Sequence, residues 1–250
     1  MKKPNGYVIW SGKSSFNGEQ IVVIMTGFAR QSANAKTKGV VQTFILPKNK
    51  NPFYAWAEKK DKCICGDCLH REWGTCYVNK AQSPNGVWKA YKRGTYPKVD
   101  AKALSFLNDK IVRIGSFGDP GAVPFSVWEK IANNSKKVIG YSHAWRYCDQ
   151  RLKKYCMASV ENENGQKFAT EKGWRTFRVR VPSESVLKSE IICPASNEAK
   201  NKTNCVKCSF CSGASNKKNV AIIFHGHPGI VRRFANFKKL MKNKRKYRIL

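Results

Sequence analysis

The chain has 250 residues, with 47 Lys+Arg against 16 Asp+Glu and a formal net charge of +31 at pH 7. Its 42% hydrophobic and 12% aromatic content is enough to build a core, which excludes wholesale disorder. The longest apolar run, Ile21 to Met25, is strand-sized and excludes an apolar membrane-spanning helix, and Lys2-Lys3 without a following apolar stretch argues for a cytoplasmic protein with no signal peptide.

Three extended runs open the chain at 7–10, 20–26 and 40–46, separated by Gly, Ser, Asn and Lys. A Cys-rich loop follows from Cys63 to Cys76, then a helix near 86–92, and Asp100 reads as the N-cap of another helix through residue 107. From there strands at 111–115, 137–141, 156–160, 176–181, 190–193 and 220–225 alternate with helical pieces. These are clearest at 124–132 and weaker at 166–172 and 183–188. That alternation predicts an α/β fold, a partial (β/α) barrel of about six parallel strands with N-terminal edge strands. The expected division is 1–57 as strands packed on the barrel, 58–229 as the Cys-rich barrel, and 230–250 as a basic helix and tail. The helix carries an apolar stripe, Ile230, Phe234, Phe237 and Met241, with Arg232, Arg233, Lys238, Lys239 and Lys242 on its other faces.

The charge is unevenly spread: residues 199–250 hold 14 basic residues and no acidic one. Self-repulsion of that size is relieved by a polyanion, so nucleic acid is the expected partner. Lys outnumbers Arg, which predicts mainly phosphate contacts with little sequence readout.

In parallel α/β folds the carboxyl ends of the strands carry the site. The loops expected there hold Asp119, His143 and Arg146, read as carboxylate, acid/base and anion-binding group, while Gly115, Ser116 and Gly118 are the candidate cofactor-binding positions. Trp145 and Phe117 are candidates for stacking on a base. Cys63, Cys65, Cys68 and Cys76 form one candidate metal set, and Cys193, Cys205, Cys208 and Cys211 a second. Spacing leaves zinc and iron–sulfur both open. Cys148 and Cys156 stand alone and are expected in the core.

Several motifs carry a resemblance: the Cys63 to Cys76 loop, Arg113-Ile114-Gly115-Ser116-Phe117-Gly118-Asp119-Pro120, Gly140-Tyr141-Ser142-His143-x-Trp145-Arg146, and Cys193-Pro194-Ala195-Ser196 with the later triple Cys. Over roughly residues 20 to 230 the chain resembles a family of uncharacterised phage-encoded proteins, which implies a host-cytoplasm location. More distantly it is similar to the partial barrels of radical S-adenosylmethionine enzymes, which implies an iron–sulfur cluster and S-adenosylmethionine as cofactors. The spacing here differs: those loops read C-x3-C-x2-C, and Asp119-Pro120 stands where Glu-Pro is usual.

Three functions are compatible with these residues. The first is a nucleic-acid-modifying or processing enzyme with Cys-ligated centres. The second is a non-catalytic, metal-stabilised nucleic-acid-binding protein. The third is a rolling-circle nickase using His225, His227 and a tyrosine such as Tyr141.

Overall fold

The computed structural model describes residues 4–201, 203–213 and 217–244, the last three by their backbone. Nine strands form one sheet: β1 (Gly6–Lys13), β2 (Gln20–Thr26), β3 (Val41–Pro47), β4 (Ile111–Phe117), β5 (Lys137–Ser142), β6 (Met157–Val160), β7 (Thr176–Arg180), β8 (Glu190–Ile192) and β9 (Asn219–Ile223). They lie in the order β1-β2-β3-β4-β5-β6-β7-β9-β8. The first three pair antiparallel, and every neighbouring pair from β3 onward is parallel. The parallel set is larger than the six strands expected. β3 belongs to the parallel set because the long segment between it and β4 can return the chain to the same end of the sheet. β9 inserts between β7 and β8, which leaves β8 at the edge. No ladder among the described residues joins β1 to β8.

Nine helices are seen among the described residues: α1 (Pro52–Ala57), α2 (Lys62–Cys65), α3 (Leu69–Glu72), α4 (Ser83–Lys92), α5 (Ala101–Ser105), α6 (Phe125–Asn133), α7 (Glu163–Glu171), α8 (Cys205–Cys208) and α9 (Pro228–Lys244). Asp100 caps α5 by accepting from Ala103 N at 2.7 Å, and Asn162 caps α7 through Gly165 N at 2.8 Å. The helix expected at 183–188 does not form. There the carbonyls of Glu184 and Ser185 are taken by the guanidinium groups of Arg180 and Arg178, at 2.8 and 2.7 Å. A helix would need those acceptors for itself.

The sheet is covered on two sides. Val138, Ala158 and Val160 join the main core with Trp128 of α6 and Ala169 of α7. The alternate residues Ile139, Tyr141, Met157 and Phe177 face the other way, against the Cys-bearing segment 193–213. β2 is buried along its whole Ile21 to Met25 run, as an internal strand covered on both faces must be. Within α9, Phe234 and Phe237 are fully buried against Phe224. Lys238, expected on the outward basic face, is instead buried: its ammonium donates to the Glu161 carbonyl and pairs with Glu184 at 2.8 Å. The side chain of Lys242 and the tail from Arg245 on lie outside the described residues. No helix among the described residues is long and apolar enough to cross a membrane.

Candidate metal centre

The first Cys window folds into two short helices, α2 and α3, joined at Gly66, whose φ of 53° supplies the turn. It is tied to the sheet where Asp119 N donates to Ile64 O at 2.7 Å. Asp119 in turn organises the exit from β5. Its buried carboxylate accepts from Gly121 N and Ser142 Oγ, both at 2.8 Å, from His143 N at 2.6 Å and from Ala144 N at 3.1 Å. Both oxygens are therefore occupied in holding the backbone that presents His143. In this geometry Asp119 is a positioning residue.

Three side chains meet above that clamp. His70 comes from α3, His143 from the end of β5, and Glu161 from the end of β6. Their ligand atoms lie within 4.8 Å of one another, the only such group of three among the described residues. His70 Nε2 is 3.8 Å and His143 Nδ1 4.0 Å from the same oxygen, Glu161 Oε1. These separations are too long for hydrogen bonds. The edge of a tetrahedral site with bonds near 2.1 Å is about 3.4 Å, so a small contraction would seat an ion. His70 Nδ1 sits 2.8 Å from Thr75 Oγ1, and the tautomer that donates this bond leaves Nε2 free for a metal.

The electrostatics divide the two histidines. Burial, helped by His143 and Lys238, pulls the His70 imidazole down to about 3, so it is neutral. Burial also opposes charge on His143, but the Cys68 thiol beside it, Glu161 and Asp119 prevail and push it up to about 10. Burial raises the Glu161 carboxyl, against the pull of His143, Arg146 and Lys238. Phe224 and Phe234 roof the group, stacked on His70 with centroids 6.2 and 5.7 Å away. Beyond Glu161 a cavity of about 300 Å³ opens between Asn162, Ser183, Glu184, Phe237 and Met241.

The other sequence candidates fall in different places. Arg146 is exposed, its guanidinium 4.1 Å over the Trp145 ring. Trp145 is fully buried and donates to Ser159 O at 3.1 Å, and Phe117 is buried too, so neither offers a face for stacking. Gly115 and Gly118, at φ 68° and 79°, let the β4 exit pass so close to Pro120 and Ile45 that an added Cβ would lie within 3 Å of them and collide. Ser116 Oγ is buried without a hydrogen-bond partner.

The cysteines of the first window also separate. Cys63 lies in the main core, its thiol pushed up to about 12 by burial and by Glu19 and Asp61. Burial lifts the Cys65 thiol well above the usual range, helped by Asp61 and by the neighbouring Cys68 and Cys76. In the second window Cys193, Cys205, Cys208 and Cys211 share one neighbourhood on the opposite side of the sheet. Cys211 accepts from Tyr141 Oη at 3.2 Å, and burial pushes its thiol up to about 12. Arg175 clamps this segment, donating to the carbonyls of Phe210, Gly213, Lys217 and Lys218 at 2.6 to 3.0 Å. Cys148 and Cys156 are buried in the main core. His225 and His227 are exposed and held locally, by Ile223 O and Gly229 N, while Tyr141 is turned toward Cys211.

Two residues of the centre escaped the sequence reading, His70 and Glu161. His70 lies inside the Cys window already singled out, and Glu161 follows a recognised strand end. The rule that found Asp119 and His143, applied at β6, points to Glu161. Set beside known proteins, the chain matches no protein-family model, no curated protein and no solved structure.

Proposed function

We propose that the chain is a metal-dependent enzyme that processes or modifies nucleic acid, its ion held by His70, His143 and Glu161. The observation that carries this reading is the approach of three ligand atoms to within 4.8 Å, from three separate elements of the fold. Two imidazoles and a carboxylate suit zinc or a similar divalent ion and leave a coordination position for water or substrate. When bound, such an ion supplies Lewis-acid chemistry. The protein's own part is to fix the ligands: Thr75 orients His70, Asp119 places the backbone of His143, and Lys238 grips the carbonyl of Glu161. The position at strand carboxyl ends is where a partial (β/α) barrel would carry its site. The net charge of +31 supports a polyanionic substrate.

One observation favours a second reading. Cys68 lies beside His143, outside the group of three converging ligand atoms; recruited as a fourth ligand it would close the shell and make the centre a structural staple. An anaerobic preparation with metal analysis, a visible spectrum and a chelator series tests both. For an enzyme, chelation abolishes turnover of nucleic acid while the melting temperature changes little. For a staple, chelation unfolds the chain and no turnover is found. A brown protein absorbing near 400 nm would instead place an iron–sulfur cluster on the cysteines. A metal content unaffected by His70→Ala and Glu161→Gln defeats both readings of the His70 centre.

A further inference from the structure

Each segment that brings a ligand to the centre also brings an exposed aromatic ring a few residues later. Trp73 follows His70, Tyr147 follows His143, and Phe168 follows Glu161. Their exposures are 38, 52 and 43%. Each is braced by a second ring: Trp73 by Phe237 at 5.3 Å, Tyr147 by Phe16 at 5.7 Å, and Phe168 by Trp145 at 5.7 Å. Cations lie along the same segments. The Arg233 guanidinium lies against Gly74, next to Trp73 in the chain. Arg146 stacks over Trp145, the ring that braces Phe168, and Lys172 Nζ is 5.0 Å from the centre of the Phe168 ring itself.

We infer that Trp73, Tyr147 and Phe168 are stacking platforms for the unpaired bases of a single-stranded nucleic acid laid across the centre. The inference rests on the nucleic-acid reading above and narrows it to strands whose base faces are free. Flat, braced rings interleaved with cations match a chain that repeats an aromatic base and a phosphate. A duplex hides its base faces, and an apolar protein surface would gain nothing from the cations. The partner thus follows from charge complementarity: an excess of 31 positive charges on the protein, and one negative charge per nucleotide on the strand. The platforms replace Trp145 and Phe117, which their motifs suggested and which the fold buries.

Fluorescence anisotropy with labelled single-stranded DNA and RNA 12-mers and a hairpin duplex, in a salt series, tests this. Wild-type protein should bind the single strands at least ten-fold tighter than the duplex. Phe168→Ala, Phe168→Leu and Tyr147→Ala should each weaken single-strand binding about five-fold or more. Duplex binding should not change, and unaltered melting curves would show that the variants are folded. The leucine variant separates stacking from mere apolarity. Arg146→Gln with Arg233→Gln should weaken both ligands alike and flatten the salt dependence. Equal affinity for duplex and single strand, or ring variants that bind like wild type, would overturn the platforms and leave the nucleic-acid reading standing. No binding of any strand at low salt would overturn both. Single-strand binding that survives His70→Ala, with the ring effects intact, upholds the platforms whatever the centre does.

Discussion

The two cysteine windows share a C-x2-C step and have opposite surroundings. Around Cys65, Cys68 and Cys76 the fold adds two histidines and a glutamate, delivered from α3 and from the carboxyl ends of β5 and β6. Around Cys193, Cys205, Cys208 and Cys211 it adds a tyrosine, the arginine clamp and apolar side chains from the sheet. The first neighbourhood mixes nitrogen, oxygen and sulfur donors at the end of the sheet where parallel folds place their chemistry. The second offers sulfur alone, against the flat of the sheet. Cysteine spacing says that a metal can be held; the address in the fold says what else can reach it.

The comparison breaks most readily at the first window. His70→Ala, His143→Ala or Glu161→Gln should each lower zinc affinity of the centre by more than about 100-fold, because removing a ligand costs more than removing its support. Competition against a chromophoric chelator measures this, and Cys208→Ser should leave that affinity unchanged. If Cys208→Ser has the larger effect, the roles of the two windows are reversed.

At the second window the largest effect should come from Arg175→Met. It strips donors from four carbonyls and should cost about 2–3 kcal/mol in urea unfolding. Faster amide exchange in 205–213 should accompany it, with the His70 centre unaffected. Thr75→Val should weaken zinc at the centre by about 10- to 100-fold without loss of fold, since it frees the ring of His70 to rotate. Phe234→Leu is the mildest, about 1 kcal/mol in stability, for the lost stack on Phe224 at 4.3 Å and on His70. A stability loss above about 3 kcal/mol would mean that α9 holds more of the fold than its aromatic contacts account for.

All nine strands were legible in the sequence, because β-branched and apolar runs bounded by Gly, Asn and Lys are local signals. Their neighbours were not. That β9 lies between β7 and β8 depends on the register of Val220 against Phe177 and Ile191, which no local pattern encodes. The segment 183–188 has a helical composition, yet it is shaped by Arg178 and Arg180 of β7, whose reach across to its carbonyls no local pattern shows. The same limit applies to the centre. Asp119 and His143 drew notice through their motif, but the motif does not say that both Asp119 oxygens are consumed by backbone and Ser142 donors. His70 was overshadowed by the cysteines around it. Glu161 is a single acidic residue after an apolar strand, and only the convergence of β5 and β6 with α3 marks it out.

The centre joins residues separated by very different lengths of chain: Glu161 lies close after His143, whereas His70 and its ring partner Phe234 are well over half the chain apart. Contacts of such long range form late, after the sheet has brought its distant strands together. An ion bound by His70, His143 and Glu161 under the Phe224 and Phe234 roof would therefore be acquired near the end of folding. Metal uptake then becomes a clock. During refolding, the appearance of chelator-resistant zinc should trail the recovery of secondary structure and coincide with the burial of Phe234.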